Sequence, residues 1–111
     1  MTENKIKFSD WEKIDIRIGK ILEVEDIPEA DKLYKLTVDI GEEKPRTLAA
    51  GLKQHYEKSD LKNKLAIFLA NLEPKTLKGV ESNGMILAAV DNDKIAIIQP
   101  ESEIKPGTKI S

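Results

Sequence analysis

Apolar and polar side chains alternate over several stretches of the chain, and this alternation predicts strands. Residues 14–24 alternate with a period of two over eleven positions, which is typical of a long strand with one buried face. Gly19 lies in the middle of this stretch, and a glycine inside a strand indicates a bend or a bulge. Residues 34–40 alternate in the same way, and 46–51 carry small side chains, so they predict a second and a third strand.

The alternation is lost over residues 53–64, which predicts a short helix or helical turn after the third strand. Two uninterrupted apolar runs follow, at 65–70 and 85–90, and each predicts a buried strand. Residues 94–98 predict a further strand after a tight turn. The order is therefore three strands, one helix and two strands, with one more strand near the end of the chain.

The connection between the two apolar runs, residues 71–84, concentrates polar side chains. It holds Lys75 and Lys78, one proline, two glycines and a Glu-Ser-Asn triplet. Binding groups concentrate on loops that a rigid scaffold carries, because the scaffold fixes their positions. We therefore expect this loop to be the centre of a binding surface. The alternative is a solvated crossover without a binding role.

The whole pattern predicts one all-β domain over residues 1–111, with a core at about 8–98 and a C-terminal extension at 99–111. Ser9 and Glu12 have the spacing of a capping box, which predicts a short N-terminal helix. A bent first strand and a helix between the third and fourth strands are typical of the OB-fold, a five-stranded Greek-key barrel.

Composition argues against catalysis, metal binding and a membrane span. The chain has no cysteine and one histidine, and it contains neither a Gly-x-Gly-x-x-Gly motif nor a phosphate-binding loop. We therefore expect no enzymatic activity, no metal and no cofactor. The longest apolar runs have six residues, far below the roughly 20 that a membrane-spanning helix needs. The chain begins with polar and charged residues, so we expect a cytoplasmic protein.

Charge is distributed unevenly along a chain whose overall net charge is −2. Residues 44–78 carry 8 basic and 3 acidic side chains, a net of +5, whereas residues 1–43 carry 7 and 12, a net of −5. Such asymmetry indicates a one-sided partner, although a charged solvated surface would also produce it.

The basic segment and the connection carry groups suited to RNA. Cations contact phosphates, amides and hydroxyls can bond a 2′-hydroxyl or a base edge, and a methionine offers a flexible apolar surface. Only five residues are aromatic, which favours recognition by shape and backbone over base stacking. On the residues alone, RNA binding and protein–protein interaction both remain open. The candidates are Arg46, Lys53, Asn71, Lys75, Lys78, Ser82, Asn83 and Met85.

Four blocks of sequence, in order, resemble the tRNA-binding domain family. This family includes the C-terminal domain of methionyl-tRNA synthetases, free-standing structure-specific tRNA-binding proteins and a cytokine precursor. The resemblance covers about residues 8–111. The blocks are Asp-Ile-Arg-Ile-Gly-Lys-Ile at 15–21, Ala-Asp-Lys-Leu-Tyr at 30–34, Arg-Thr-Leu-Ala-Ala-Gly-Leu at 46–52, and Asn-Leu-Glu-Pro-Lys at 71–75 with Gly-Met-Ile-Leu-Ala-Ala at 84–89.

The resemblance implies a non-catalytic OB-fold that binds tRNA by shape rather than by sequence. It also implies a homodimer joined partly through residues 92–111, and a role as a tRNA-delivery module or β-subunit of methionyl-tRNA synthetase. A second branch of the family acts as a chaperone, and its motif in the connection differs from Asn-Leu-Glu-Pro-Lys. The implied tRNA-binding positions are Lys32, Arg46, Asn71, Lys75, Lys78, Ser82 and Met85.

Overall fold

Five antiparallel strands form a sheet that curls into a nearly closed barrel, in a computed structural model that describes residues 4–111. The strand order is β3-β2-β1-β4-β7, so β3 and β7 are the two ends of the sheet. Beside β3, the amide of Asn83 donates to the carbonyl of Thr47 at 2.9 Å, which nearly closes the barrel. In chain order the elements are α1 (Phe8–Trp11), β1 (Ile16–Asp26), β2 (Tyr34–Asp39), β3 (Arg46–Ala50), α2 (Lys58–Leu61), β4 (Leu65–Leu69), β5 (Lys75–Leu77), β6 (Val80–Ser82), β7 (Met85–Ile86), β8 (Ala88–Asp91) and β9 (Lys94–Ile97).

This architecture confirms the predicted OB-like barrel and the helix between the third and fourth strands. The interior is built from aliphatic and aromatic side chains of all the long strands, together with Leu61 of α2. Removing such side chains from water is the main favourable contribution to folding, at roughly 25 cal/mol per Å² of apolar surface. The largest fully buried side chains are Ile21, Leu36, Val38, Leu61 and Phe68.

The bend in β1 is a bulge at Leu22 and not at Gly19, where it was predicted. The pairing register with β2 shifts between Ile21 and Glu23, which leaves Leu22 as the extra residue. Side chains on a strand alternate between faces, so one extra residue moves the following side chains to the opposite face. Ile21 and Val24 are therefore both buried, although their positions differ by three.

Gly19 has a different role, since a side chain at this position would collide with the core. A Cβ on Gly19 would lie 2.6 Å from Cδ1 of Phe68 and 2.9 Å from Cγ1 of Val38. Both neighbours are almost completely buried and cannot move aside. The glycine is required for the close approach of β1 to the Phe68 ring.

One helical prediction and one strand prediction need correction. The capping box at Ser9 is wrong, because α1 begins at Phe8 with Lys7 as N-cap and has no side-chain cap. A capping box does occur in α2, where Glu57 and Asp60 each bond the other's backbone amide. This helix is one turn long, in agreement with the short helix or helical turn predicted within 53–64. The predicted strand 85–90 is interrupted at Leu87, so β7 completes the barrel while β8 pairs with β9.

The C-terminal arm, residues 99–111, returns to the barrel and pairs with β1. The amide of Gly107 donates to the carbonyl of Ile18 at 2.8 Å, and the amide of Ile110 donates to Ile16 at 2.8 Å. This first half of β1 pairs with β4 on its other edge, whereas β2 pairs only from Lys20 onwards. The arm therefore covers a sheet edge that would otherwise be exposed.

Candidate nucleic-acid interface

The connection predicted as a loop contains a β-hairpin. β5 and β6 pair in antiparallel register, with Lys75 opposite Ser82 and Leu77 opposite Val80. The two-residue turn has Lys78 at φ 51° and Gly79 at φ 83°, the pattern of a type I′ turn. Such a turn favours Asn-Gly, because both positions need a left-handed conformation. A lysine at the first position is therefore unusual, and it places a cation at the tip of the hairpin.

Asn71 fixes the beginning of the segment that carries the hairpin. Its Oδ1 accepts a hydrogen bond from the amide of Asp15 at 2.9 Å, and its Nδ2 donates to the carbonyl of Lys13 at 2.6 Å. The preceding residue, Ala70, donates its amide to the carbonyl of Asp15 at 2.6 Å. The Asn71 amide thus fills a structural role at the entry to the hairpin.

Ser82 fixes the end of β6 against β3. It is 7% exposed, and its hydroxyl oxygen accepts the amide proton of Ala49 at 3.0 Å. Because the next residue, Asn83, bonds Thr47, β6 approaches β3 in an antiparallel sense. The turn at Lys78 consequently lies on the side where β3 ends.

Arg46 lies between the two ends of the hairpin segment. Its Nη1 donates to the carbonyl of Ala70, and its Nε and Nη2 donate to the two carboxylate oxygens of Glu42 at 2.9 and 2.7 Å. A Cβ on Gly84 would lie 3.8 Å from the same Nη1 and 3.1 Å from the carbonyl of Leu69, which explains the glycine there. The guanidinium hydrogen bond holds the pKa of Glu42 below its usual value.

The exposed side chains of the candidate interface include the two hairpin lysines, two large apolar residues and two glutamates. Lys75 and Lys78 are exposed, and neither forms an ion pair within residues 4–111. Met85 is 43% exposed and Leu72 is 44% exposed, at the exit and the entry of the segment. Sequence reasoning missed Leu72, although a large apolar residue between Asn71 and a proline was a visible signal.

Lys32 lies away from Arg46, at the opposite end of the β2–β3 ladder. The ladder runs from Tyr34 opposite Ala50 to Val38 opposite Arg46, so Lys32 and Arg46 are separated by roughly 20 Å at about 3.3 Å per residue. The carbonyl of Lys32 accepts the amide of Lys53, which joins those two lysines at the β1–β2 loop. Lys32 is exposed there.

Folding cancels much of the charge asymmetry seen along the sequence. Four basic residues of the 44–78 segment form ion pairs with acidic residues of the 1–43 segment, namely Arg46 with Glu42, Lys53 and Lys58 with Asp26, and Lys62 with Glu23. The hydrogen bonds from Lys58 and Lys53 lower the pKa of Asp26. Unpaired positive charge therefore concentrates on fewer residues than the sequence suggested, and the hairpin keeps both of its lysines available.

The described part of the chain contains neither a metal site nor a membrane-spanning helix. Within residues 4–111, no three histidine or carboxylate side chains come together in a way that could hold a metal ion. No helix in that range is long and apolar enough to cross a membrane.

The barrel and its basic hairpin define a small OB-like binding domain. The sequence profile of the family "Putative tRNA binding domain" matches residues 16–109. The chain belongs to this tRNA-binding domain family.

Similar proteins are synthetases, synthetase-related proteins and chaperones. The methionine–tRNA ligase of Pyrococcus horikoshii is 54% identical over 105 residues, which cover 95% of this chain and 14% of the ligase. The chain thus spans about a seventh of the length of the curated relatives that it matches. The crystal structure of a MetRS-related protein from P. horikoshii has a TM-score of 0.90 at 31% identity and covers 97% of this chain and 99% of that one. The chaperone CsaA from Picrophilus torridus has a TM-score of 0.87 at 35% identity, with coverage of 96% and 100%.

Proposed function

We propose that this protein binds tRNA without catalysing a reaction, recognising its shape and backbone and delivering it to a methionyl-tRNA synthetase in the cytoplasm. The observation that carries the proposal is the cation at the hairpin tip. Lys78 occupies a left-handed position that favours asparagine or glycine, and strain of this kind is tolerated where a side chain has a function. Membership of the tRNA-binding domain family supports tRNA as the partner.

The hairpin suits a phosphate backbone better than a base edge. Lys75 and Lys78 project as flexible point charges, which bind phosphate without the fixed fork that an arginine offers for base readout. Met85 and Leu72 offer apolar surface nearby in the chain, on which a base or ribose could rest. No stacked pair of aromatic rings occurs on this segment, since residues 71–84 contain no aromatic residue. Recognition by backbone and shape follows from this set of groups.

The direct test removes the two hairpin charges and measures tRNA binding as a function of salt. For Lys75→Gln with Lys78→Gln we expect weaker binding and a log K against log salt slope shallower by about 1.5, at roughly 0.7–0.9 per phosphate contact. The assay is a fluorescence titration of bulk tRNA at several salt concentrations, with duplex and unstructured RNA as competitors. Preference for tRNA over both competitors supports recognition of shape.

The matched control is Lys64→Gln with Lys94→Gln. Both residues are exposed and outside every described ion pair, and they lie before β4 and at the tip of the β8–β9 hairpin. The net charge change is the same, so long-range electrostatics are matched. Equal losses of affinity in the two double variants would refute the hairpin as the contact surface.

Delivery to a synthetase is a separate part of the proposal. The chain matches only 14% of the ligase of P. horikoshii, which is consistent with a tRNA-binding appendage or β-subunit that acts beside a catalytic body. We expect the protein to lower the KM for tRNA of a methionyl-tRNA synthetase that lacks such a domain, with little change in kcat. No change in KM at saturating protein would exclude this role.

A homodimer is the expected form of the protein. Several exposed apolar side chains lie on elements outside the five-stranded sheet, and a second copy that covered them would remove this surface from water. Static light scattering should give twice the chain mass, and a mass near 12.4 kDa would exclude the dimer. The side chains are Ile6 and Phe8 near α1, Val90 on β8, Ile98 after β9 and Ile104 in the C-terminal arm.

A chaperone-like role in binding peptides is the alternative. The likeness to CsaA chaperones over almost the whole chain and the exposed apolar side chains favour it. It predicts suppression of aggregation of an unfolded polypeptide, with little binding of tRNA in a filter assay. The reverse result supports the tRNA-binding proposal.

A further inference from the structure

Arg46 is assigned by family resemblance to tRNA contact, but three of its five N–H donors are already used inside the protein. Three of its N–H groups point to protein acceptors, two of them to the Glu42 carboxylate in a bidentate arrangement. The side chain is only 18% exposed. Bidentate arginine–carboxylate pairs are strong and directional, so a phosphate would have to displace Glu42 to bind the Nε–Nη2 edge of this guanidinium.

The position of Arg46 indicates what the pair does instead. Its Nη1 bonds the carbonyl of Ala70, where the chain leaves β4 for the hairpin. The backbone of Gly84, where the chain returns to the barrel, passes the same nitrogen so closely that a Cβ would lie 3.8 Å away. Glu42 holds the guanidinium from the β2–β3 turn. The pair is therefore bonded to the entry of the segment that carries the lysines and lies beside its return at Gly84.

We infer that Arg46 and Glu42 form a positioning pair that fixes the base of the β5–β6 hairpin, so that Lys75 and Lys78 present their charges in one arrangement, and that Arg46 itself does not bind RNA. This inference rests on the proposed tRNA-binding function. The inference also gives a role to Glu42, which would not be considered as a phosphate-binding residue because it is acidic. A rigid base matters because charges held in place lose less conformational freedom on binding.

The variant Glu42→Gln separates the two possible roles of Arg46 by the sign of the effect. If Arg46 contacts phosphate, losing its carboxylate partner frees the guanidinium, and tRNA binds more tightly with a steeper salt slope. If Arg46 positions the hairpin, the weakened pair loosens its base, and we expect roughly threefold to tenfold weaker binding, within the range of coupled contacts. Weaker binding on removal of a negative charge is the opposite of a simple electrostatic effect.

The control for the charge change is Glu43→Gln. Glu43 is the next residue, it is exposed, and it forms no ion pair within residues 4–111. Its loss changes the net charge by the same amount at nearly the same place. The positioning role predicts weaker binding for Glu42→Gln than for Glu43→Gln, and a phosphate contact by Arg46 predicts the reverse.

A double-mutant cycle tests whether the pair acts through the lysines. Glu42→Gln is combined with Lys75→Gln and Lys78→Gln, and tRNA affinity is measured for each corner of the cycle. If the pair positions the hairpin, Glu42→Gln changes affinity less than about twofold once the lysines are gone, because there is no charge left to place. A loss that persists in full without the lysines would overturn the inference, since a general loss of fold integrity would act in both backgrounds.

Arg46→Lys provides a second variant for the same cycle. It keeps the charge but cannot form the bidentate bond to Glu42 together with the bond to Ala70. We expect it to weaken binding as Glu42→Gln does, whereas a phosphate contact would retain most of the affinity. Thermal melts monitored by circular dichroism confirm that each variant is folded at the assay temperature. If the Lys75→Gln/Lys78→Gln double variant binds tRNA like the parent, the proposed hairpin interface fails. If that variant binds more weakly but the effects in the cycle are additive, the positioning pair fails.

Discussion

The turn of the hairpin allows stability and binding to be changed in opposite directions by one substitution. Lys78 has φ 51°, in the left-handed region that costs most L-residues roughly 1–2 kcal/mol. Asparagine enters this region more easily, and Asn-Gly is the preferred type I′ pair. We expect Lys78→Asn to stabilise the protein by about 0.5–1 kcal/mol, which is a rise in Tm of roughly 2–6 °C for a domain of this size.

The same substitution removes one of the two charges on the hairpin. The salt slope of tRNA binding should become shallower by about 0.7–0.9, the value for one phosphate contact. The measurements are a thermal melt and a tRNA titration at three salt concentrations. Since a better-formed turn cannot weaken binding by disorder, a loss of affinity must come from the charge.

Lys75→Gln is the matched control, because Lys75 lies on β5 without a left-handed φ. It should lower the slope similarly and leave Tm unchanged. A Tm for Lys78→Asn at or below that of the parent would refute the argument from turn strain. Unchanged affinity and slope would show that Lys78 does not contact tRNA.

Two further predictions concern the barrel itself. Gly19→Ala should destabilise the protein by about 2–3 kcal/mol in chemical denaturation, because the new Cβ would lie 2.6 Å from the Phe68 ring. Phe68→Leu should recover part of that loss in the double variant. Fully additive losses of the two substitutions would show that the contact is not responsible. The hydrogen bond from Arg46 lowers the folded-state pKa of Glu42, and the hydrogen bond from Arg17 lowers that of Asp15. Each carboxylate therefore contributes stability that is present above about pH 5 and is lost as pH falls toward 2. Denaturant titrations between those pH values should show a smaller loss for Asp15→Asn than for the parent, and equal losses would contradict the role of this carboxylate.

The barrel was predictable from the sequence because its long strands show either an alternation of apolar and polar residues or an uninterrupted apolar run. The bulge was placed wrongly because Ile21 and Leu22 are both apolar, and alternation alone cannot say which of them is the extra residue. The hairpin was missed because its strands have three residues each and its turn is Lys-Gly instead of Asn-Gly.

The sequence pointed to the segment that carries the candidate site. It did not show which of its polar residues are free to contact RNA and which bond the protein itself. Asn71, Ser82 and Arg46 look like RNA contacts in sequence because their side chains are polar and their motif is distinctive. In the folded chain each one bonds atoms of the protein: Asn71 holds the entry, Ser82 holds the exit, and Arg46 lies beside both. These bonds join residues 24 to 58 positions apart, and no local pattern reveals such pairing.

The small number of unpaired lysines on the hairpin makes the oligomeric state relevant to tRNA binding. One copy presents Lys75 and Lys78, whereas a dimer presents two hairpins. Engagement of both hairpins by one tRNA would raise the affinity by avidity and double the number of phosphates contacted.

Ile104 is 41% exposed in the C-terminal arm, so Ile104→Glu should oppose burial against a second copy without disturbing the core. Ser102→Glu is the matched control, since it adds the same charge two residues away on an exposed position. We expect Ile104→Glu alone to give the mass of one chain in light scattering and to reduce the salt slope of tRNA binding by about half. A monomeric Ile104→Glu protein with the parental slope would show that a single hairpin supplies all the contacts, and the dimer would then have no part in recognition.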